Sequence, residues 1–264
     1  MGNKFEGKSV LITGGGTGLG ATCAELFATE GARVAVMGRR LAPLEEVSAK
    51  TGALVVSGDA SVTASCEAAV AATVKAFGGL DILVASAGIV AEGDVVSIND
   101  EDWDTVIGAD LSGCMKIARA ALNPMLQKGQ GSIVLVSSVA SVLAPGAMAA
   151  YIAAKTGVIG LANSMAFDFG PKGIRTNAIS PGWMKTPMTN EEMAFFAKEK
   201  GYTVAEAFKH ATRFIPLKRM AETMEIAKCV SFLASDDASY VNGINLIVDG
   251  GHHLSDAGYI ALSS

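Results

Sequence analysis

Short apolar runs alternate with longer stretches of helical periodicity along almost the whole chain, and this alternation is the strongest constraint on its fold. The runs fall at 9–13, 33–37, 54–57, 80–85, 132–137, 175–180 and 245–248. Many are near-continuous in Val, Ile, Leu and Ala, as strands covered on both faces require. Helices are expected at 19–30, 43–50, 63–77, 102–127, 149–169 and 222–234. This βαβ rhythm predicts an α/β fold: a doubly wound parallel sheet of about seven strands with helices on both faces. With 264 residues and no repeat, low-complexity tract or Pro/Ser-rich linker, the chain reads as one domain over 1–264. One segment breaks the rhythm. Between Gly182 and Pro216 two helix-like stretches rich in Met, Phe and mixed charge follow one another, and no strand is expected there. An insertion just past a strand end suits a helical substrate lid, at about 183–215.

Composition narrows the function classes. Half the residues are hydrophobic and only 6% aromatic, which suits helices packed closely on a sheet. A net charge of -5, with basic residues scattered apart from Arg39-Arg40, gives no electrostatic case for nucleic acid or an anionic membrane. No apolar run reaches transmembrane length. The first residues, MGNKFEGKSVLITGG, carry no long apolar core, so no signal peptide is expected, and Glu6 stands where a myristoylation motif wants Ser or Thr. The four cysteines lie far apart without a C-x-x-C pair, and the three histidines do not join them at metal-ligand spacing. Free thiols, no metal and a cytoplasmic location are the expectation.

The first apolar run leads into Thr13–Gly20, TGGGTGLG. A pyrophosphate needs backbone N–H donors at a helix N-terminus and a chain that can approach without Cβ clashes. Gly14, Gly18 and Gly20 supply that approach, with Thr13 and Thr17 as hydroxyl-bearing neighbours and Leu19 in the same turn. The motif sits between a strand and an amphipathic helix, the context it requires. At the end of the second run an NAD-type site would place a carboxylate on the ribose 2′-OH. Here the chain reads Met37-Gly38-Arg39-Arg40. Glycine opens space, and a guanidinium can pair bidentately with a 2′-phosphate. NADP(H) is therefore the expected cofactor, with NAD(H) as the alternative.

Further along stand Ser138, Tyr151 and Lys155, as S-x12-Y-x3-K. Tyr151 and Lys155 are one helical turn apart and share a face. Joined to the glycine turn, the triplet points to hydride and proton transfer at a carbonyl. With these residues, the chain resembles the single-domain branch of the short-chain dehydrogenase/reductase family over about residues 5–251. The glycine turn, Asp59-Ala60, Ala85-Ser86-Ala87-Gly88, Ser137-Ser138, YIAAK, Pro181-Gly182 and Asp249-Gly250-Gly251 fall in the family's order and spacing.

The resemblance implies a Rossmann-like dinucleotide-binding and catalytic domain, and roles for particular residues. Asp59 and Ala60 would flank the adenine. Ser86, Ala87 and Gly88 would support the central sheet and the cofactor ribose, Ser86 standing where the family usually has Asn. Pro181, Gly182, Met184 and Thr186 would receive the nicotinamide and its carboxamide. Tyr151 would be the acid/base, its phenol brought into range by the Lys155 ammonium, which would also hold the nicotinamide ribose. Ser138 would hydrogen-bond the substrate oxygen. Asp110, in Asp110-Leu111-Ser112-Gly113, occupies the register of a family asparagine that anchors a water in a proton relay to the lysine. The expected consequence of this acid is a relay that survives with a shifted pH profile.

Ser141, Val142, Met148, Trp183 and Met188, with the lid, would wall the substrate pocket. No Arg/Lys cluster marks an anionic substrate, so a moderately apolar ketone or secondary alcohol is expected. The small-residue helices around Asp110 and Tyr151 resemble those through which family members pair, which implies a homotetramer or a homodimer. The tail at 252–264 would reach a neighbour's site or end in disorder. A catalytically silent NADP(H)-binding protein is the alternative to an enzyme.

Overall fold

The structure, a computed structural model, describes residues 3–255, and the side chain of Met188 lies outside that description. Seven strands form one parallel sheet: β1 (Ser9–Thr13), β2 (Arg33–Gly38), β3 (Leu54–Ser57), β4 (Ile82–Ala85), β5 (Gly131–Val136), β6 (Ile174–Pro181) and, last in sequence, β9 (Asn245–Val248). Their spatial order is β3-β2-β1-β4-β5-β6-β9. The chain winds outward from β1 to β3, returns to β4 beside β1, and winds outward the other way. The strand order thus reverses between β1 and β4, where a crevice must open at the strands' C-terminal ends.

Side-chain alternation divides the core into two layers. Leu11, Leu83, Ile133 and Leu135 point to one face, where Cys66, Ala69 and Val70 of α3 (Thr63–Phe77), Ile117 and Ala121 of α5 (Gly113–Lys128), and Val158 and Ala162 of α6 (Ala149–Phe169) cover them. Val10, Ile12, Val84 and Val134 point to the other. There they meet Cys23 and Phe27 of α1 (Gly18–Thr29), Leu44 of α2 (Leu41–Thr51), and Ile226 and Val230 of α9 (Thr223–Ala234). Small residues at these contacts let helices lie close to the sheet, and every residue of β1, β4 and β5 is buried. The four cysteines are free thiols.

The expected strands and helices all form, with two corrections. The helix expected over 102–127 is not one α-helix: α4 (Asp100–Val106) runs into a π-helical turn at Ile107–Ser112, and α5 continues from Gly113. The lid segment also contains a strand. Two-residue β7 (Met184–Lys185) pairs in parallel with β8 (Ala221–Glu222), and an ion pair between Lys185 and Glu222 joins the two. Two residues are too few to show a period of two, so the pairing depends on chain returning from far away. Between these strands, α7 (Pro187–Lys200) and α8 (Val204–Ala211) pack around Met193, Ala197, Ala207 and Met220, with Trp183, Phe196 and Phe208 against that cluster.

Candidate active site

At the C-terminal ends of β1 to β4 lies a cleft of about 480 Å³. Gly14, Thr17, Arg39, Arg40, Asp59, Ala60, Ala87 and Gly88 all line it, so residues far apart in sequence converge on one cleft. The glycine turn is shaped by close backbone approach. Gly14 has φ +67, and a Cβ there would stand 2.9 Å from the Ala87 backbone; a Cβ on Gly20 would collide with the Gly14 carbonyl oxygen. Such a turn leaves backbone donors at the start of α1 open to an anion, and its geometry fits a dinucleotide pyrophosphate. The Leu19 side chain is buried in the core, so only its backbone faces the turn. Thr13 Oγ1 accepts from the N–H groups of Ser86 and Ala87, both at 3.2 Å, tying the end of β1 to the end of β4.

Among the described residues, neither Arg39 nor Arg40 forms an ion pair within 4.0 Å. Burial opposes ionisation of Asp59, but the Ser61 N–H at 2.8 Å, the Ser61 hydroxyl, and the charges of Arg39 and Lys116 outweigh it and hold the carboxyl below its ordinary range. Ser61, Thr105 and Ala109 line the same cleft and were not foreseen. Thr105 lies near the end of α4, just before the π-helical turn, and Ala109 lies within it; the only hint in sequence was the neighbouring Asp110.

Pro181 ends β6, and Gly182, Met184 and Thr186 follow it. The Gly182 N–H donates to Val248 O at 2.9 Å, and Met184 packs against the core beneath α1 and α9. Thr186 starts α7 through reciprocal bonds with Thr189, and its Cγ2 would lie 3.6 Å from a Cβ on Gly18. The segment after β6 therefore meets the glycine turn.

The ends of β5 and α6 are stitched together. Ser137 Oγ donates to Lys155 O at 2.8 Å, and Lys155 Nζ donates to Val136 O at 3.2 Å. Lys155 is 4% exposed, and its Nζ lies 5.5 Å from the Tyr151 ring centroid and 3.1 Å from Oδ2 of fully buried Asp110. Asp110 Oδ1 accepts from Ile89 N–H at 2.8 Å. Burial alone would weaken the hold of Lys155 on its proton; Asp110 first, then Tyr151 and Cys114, reverse this and raise its pKa. Burial pushes the Cys114 thiol up to about 11, with Lys155 pulling down and Asp110 pushing up.

Ser138 precedes a 3-10 turn at Val139–Ser141, and its Oγ accepts from Ala140 N–H at 3.2 Å. That bond uses a lone pair and leaves the hydroxyl proton for another acceptor. The Ser141 hydroxyl donates to Ser138 O at 2.6 Å, so it braces Ser138. Val142 is exposed, and Met148, just before α6, bridges to Gly93. Trp183 packs at the base of the α7/α8 cluster, and Met188 lies in α7 with its side chain outside the described residues.

Among the described residues no group of three or more His, Cys, Asp or Glu could hold a metal ion, and no helix is long and apolar enough to cross a membrane. Residues 14–253 match the family model described as "Enoyl-(Acyl carrier protein) reductase". The chain is 39% identical over 255 residues to the trans-4-hydroxycyclohexanecarboxylate dehydrogenase of Sinomonas cyclohexanicum, covering 92% of each. It is 34% identical over 256 residues to the 2,5-dichloro-2,5-cyclohexadiene-1,4-diol dehydrogenase of Sphingobium indicum, covering 95% of this chain and 98% of the relative. Among solved structures, levodione reductase superposes with a TM-score of 0.90 at 35% identity, over 96% of this chain and 100% of the other. Fold, crevice and relatives agree: the chain belongs to the short-chain dehydrogenase/reductase family of NAD(P)-dependent oxidoreductases acting between CH–OH and C=O groups.

Proposed function

We propose that the protein interconverts a ketone and a secondary alcohol with NADP(H) in preference to NAD(H). The observation carrying the cofactor reading is the end of β2, where Gly38 is followed by Arg39 and Arg40 in the cleft wall and no acid stands at that strand end. A guanidinium there favours a 2′-phosphate over a bare 2′-hydroxyl. A Cβ on Gly38 would make ordinary contact, 3.5 Å from Leu44, so Gly38→Asp is accommodated sterically. Fluorescence titration of wild type is expected to give NADPH a Kd at least about tenfold below that of NADH, roughly 1.4 kcal/mol. Gly38→Asp reverses the order. Equal Kd values in wild type would remove the arginines from the site.

When bound, the nicotinamide supplies or accepts the hydride. Tyr151 gives its phenolic proton to the carbonyl oxygen in reduction and takes it back in oxidation. A free phenol, with pKa ~10, is a weak acid near neutrality, and the buried ammonium of Lys155 stabilises its phenolate. Ser138 turns its remaining hydroxyl proton to the same oxygen. Together these groups favour carbonyl chemistry, since a carbonyl oxygen needs this proton and hydrogen bond. Trp183, Met148 and the α7/α8 lid wall the substrate side. The two relatives described above are named for alcohols on a six-membered carbocycle, so cyclohexanol- and cyclohexanone-type compounds head the substrate panel. NADPH oxidation on that panel, with Tyr151→Phe as the blank, tests the reading; turnover that persists in the blank overturns it. A cytoplasmic homotetramer pairing through α5 and α6, with a homodimer as the alternative, completes the proposal.

A further inference from the structure

The pair formed by Asp110 and Lys155 is buried, and it lies directly behind the cofactor cleft. A Cβ on Gly88, a residue of the cleft wall, would stand 2.9 Å from Asp110 Oδ2 and 3.1 Å from Lys155 Nζ. Gly88 is thus the point of the cleft wall that lies directly against the two charges, and any side chain there would press on both. Asp110 is held from the other side, because Ile89 N–H fixes Oδ1 and the π-helical turn fixes the backbone. π-helical turns of this kind recur at functional positions.

We infer that Asp110 is a positioning residue: it is the resident counter-ion of Lys155, and through that lysine it sets how firmly Tyr151 holds its proton. The inference rests on the proposed acid/base role of Tyr151 for its catalytic meaning, but the charge effect stands on the protein alone. A lone ammonium beside Tyr151 would favour phenolate strongly; a carboxylate 3.1 Å from that ammonium cancels much of its field. Among the described residues, the charged groups on the packed elements lie elsewhere. From α5 only the Cys114 thiol acts on Lys155. The acids of α4 (Asp100, Glu101, Asp102 and Asp104) are exposed. The end of β5 and the 3-10 turn present serines and carbonyls, and the one charged residue of β6, Arg175, donates to Leu233 O and Ser235 O at the C-terminal end of α9.

The test is a spectrophotometric titration of the Tyr151 phenolate in protein free of cofactor and substrate, each curve taken as the difference from a Tyr151→Phe version of the same background. Asp110→Asn keeps an acceptor for Ile89 N–H and removes the charge. Its Tyr151 midpoint is expected about one pH unit below wild type. Lys155→Met should move the midpoint up, and the double variant should return it near wild type, because the charge count again cancels. If Asp110→Asn alone does not fold, comparing Lys155→Met with the double variant reads the same carboxylate. A midpoint unmoved or raised by removing Asp110, in whichever of these backgrounds folds, overturns the inference. Because nothing is turned over, absence of ketone reduction would count against the proposed function and leave this measurement intact.

Discussion

Gly20 shows how little freedom the phosphate turn allows. Its missing Cβ is the space taken by the Gly14 carbonyl oxygen, a backbone atom that cannot swing aside as a flexible side chain would. Gly20→Ala is therefore expected to cost about 2 kcal/mol or more of folding stability, measured by urea unfolding, and to abolish dinucleotide binding in whatever fraction stays folded. A variant with wild-type stability and affinity would mean that the turn relaxes freely. At this scale the sequence was most legible. Phosphate approach demands glycine, and acid/base chemistry demands a phenol beside a cation, so residue type and spacing carry the information. The contact between Lys155 and Asp110 was only half legible. An acid near the lysine could be read from the register, but its direct approach to Nζ depends on a π-helical turn that leaves no periodic mark in the sequence.

Among the elements, α7 starts on a reciprocal cap. Thr186 Oγ1 accepts from Thr189 N–H at 3.2 Å, Thr189 Oγ1 accepts from Thr186 N–H at 2.9 Å and donates to Met184 O at 2.6 Å. Replacing Thr186 with Val keeps the shape and removes the cap oxygen, at a cost of about 1 kcal/mol to the helix. The small cluster of Met193, Ala197, Ala207 and Met220 is separate from the two main core layers, so the loss is expected to stay local. Hydrogen exchange should quicken in α7 while the amides of β1, β4 and β5 keep their protection. Equal loss of protection in the sheet would show that α7 and the sheet open as one unit. The long helices and buried strands were legible because each repeats its period several times. β7 and β8 were not, since each has two residues and exists only through the other.

The molecule as a whole is held at several points by carboxylates that fold into hydrogen-bonded positions, and this fixes its response to acid. Asp81, just before β4, accepts from Ser9 N–H at 2.9 Å and Ser9 Oγ at 3.0 Å, and pairs with Lys128 at the end of α5. Asp249, just after β9, accepts from Gly251 N–H at 2.9 Å and His253 N–H at 2.7 Å. In both, burial opposes ionisation and the donors outweigh it, so each carboxyl sits below its ordinary 3.8. Asp59 follows the same rule beside Ser61. A carboxyl whose pKa falls on folding adds stability above its unfolded value and loses it as pH drops through the folded value. Thermal unfolding followed from neutrality downward should therefore give a flat Tm until about pH 5 and a steepening fall below about pH 4. Asp81→Asn should lower Tm at neutral pH and flatten the acid limb, since one of the groups that must be protonated is gone. An acid limb as steep as wild type would take Asp81 out of this account. The reversal of strand order that opens the cofactor crevice was legible only as a fold class. Strand order comes from long-range pairing, and no local stretch of sequence states which edge the chain returns to. The Ser9–Asp81 bonds join the first strand to the fourth at the start of their ladder, as the Thr13 bonds do at its end, so the same variant tests how strongly the two halves of the sheet depend on one buried carboxylate.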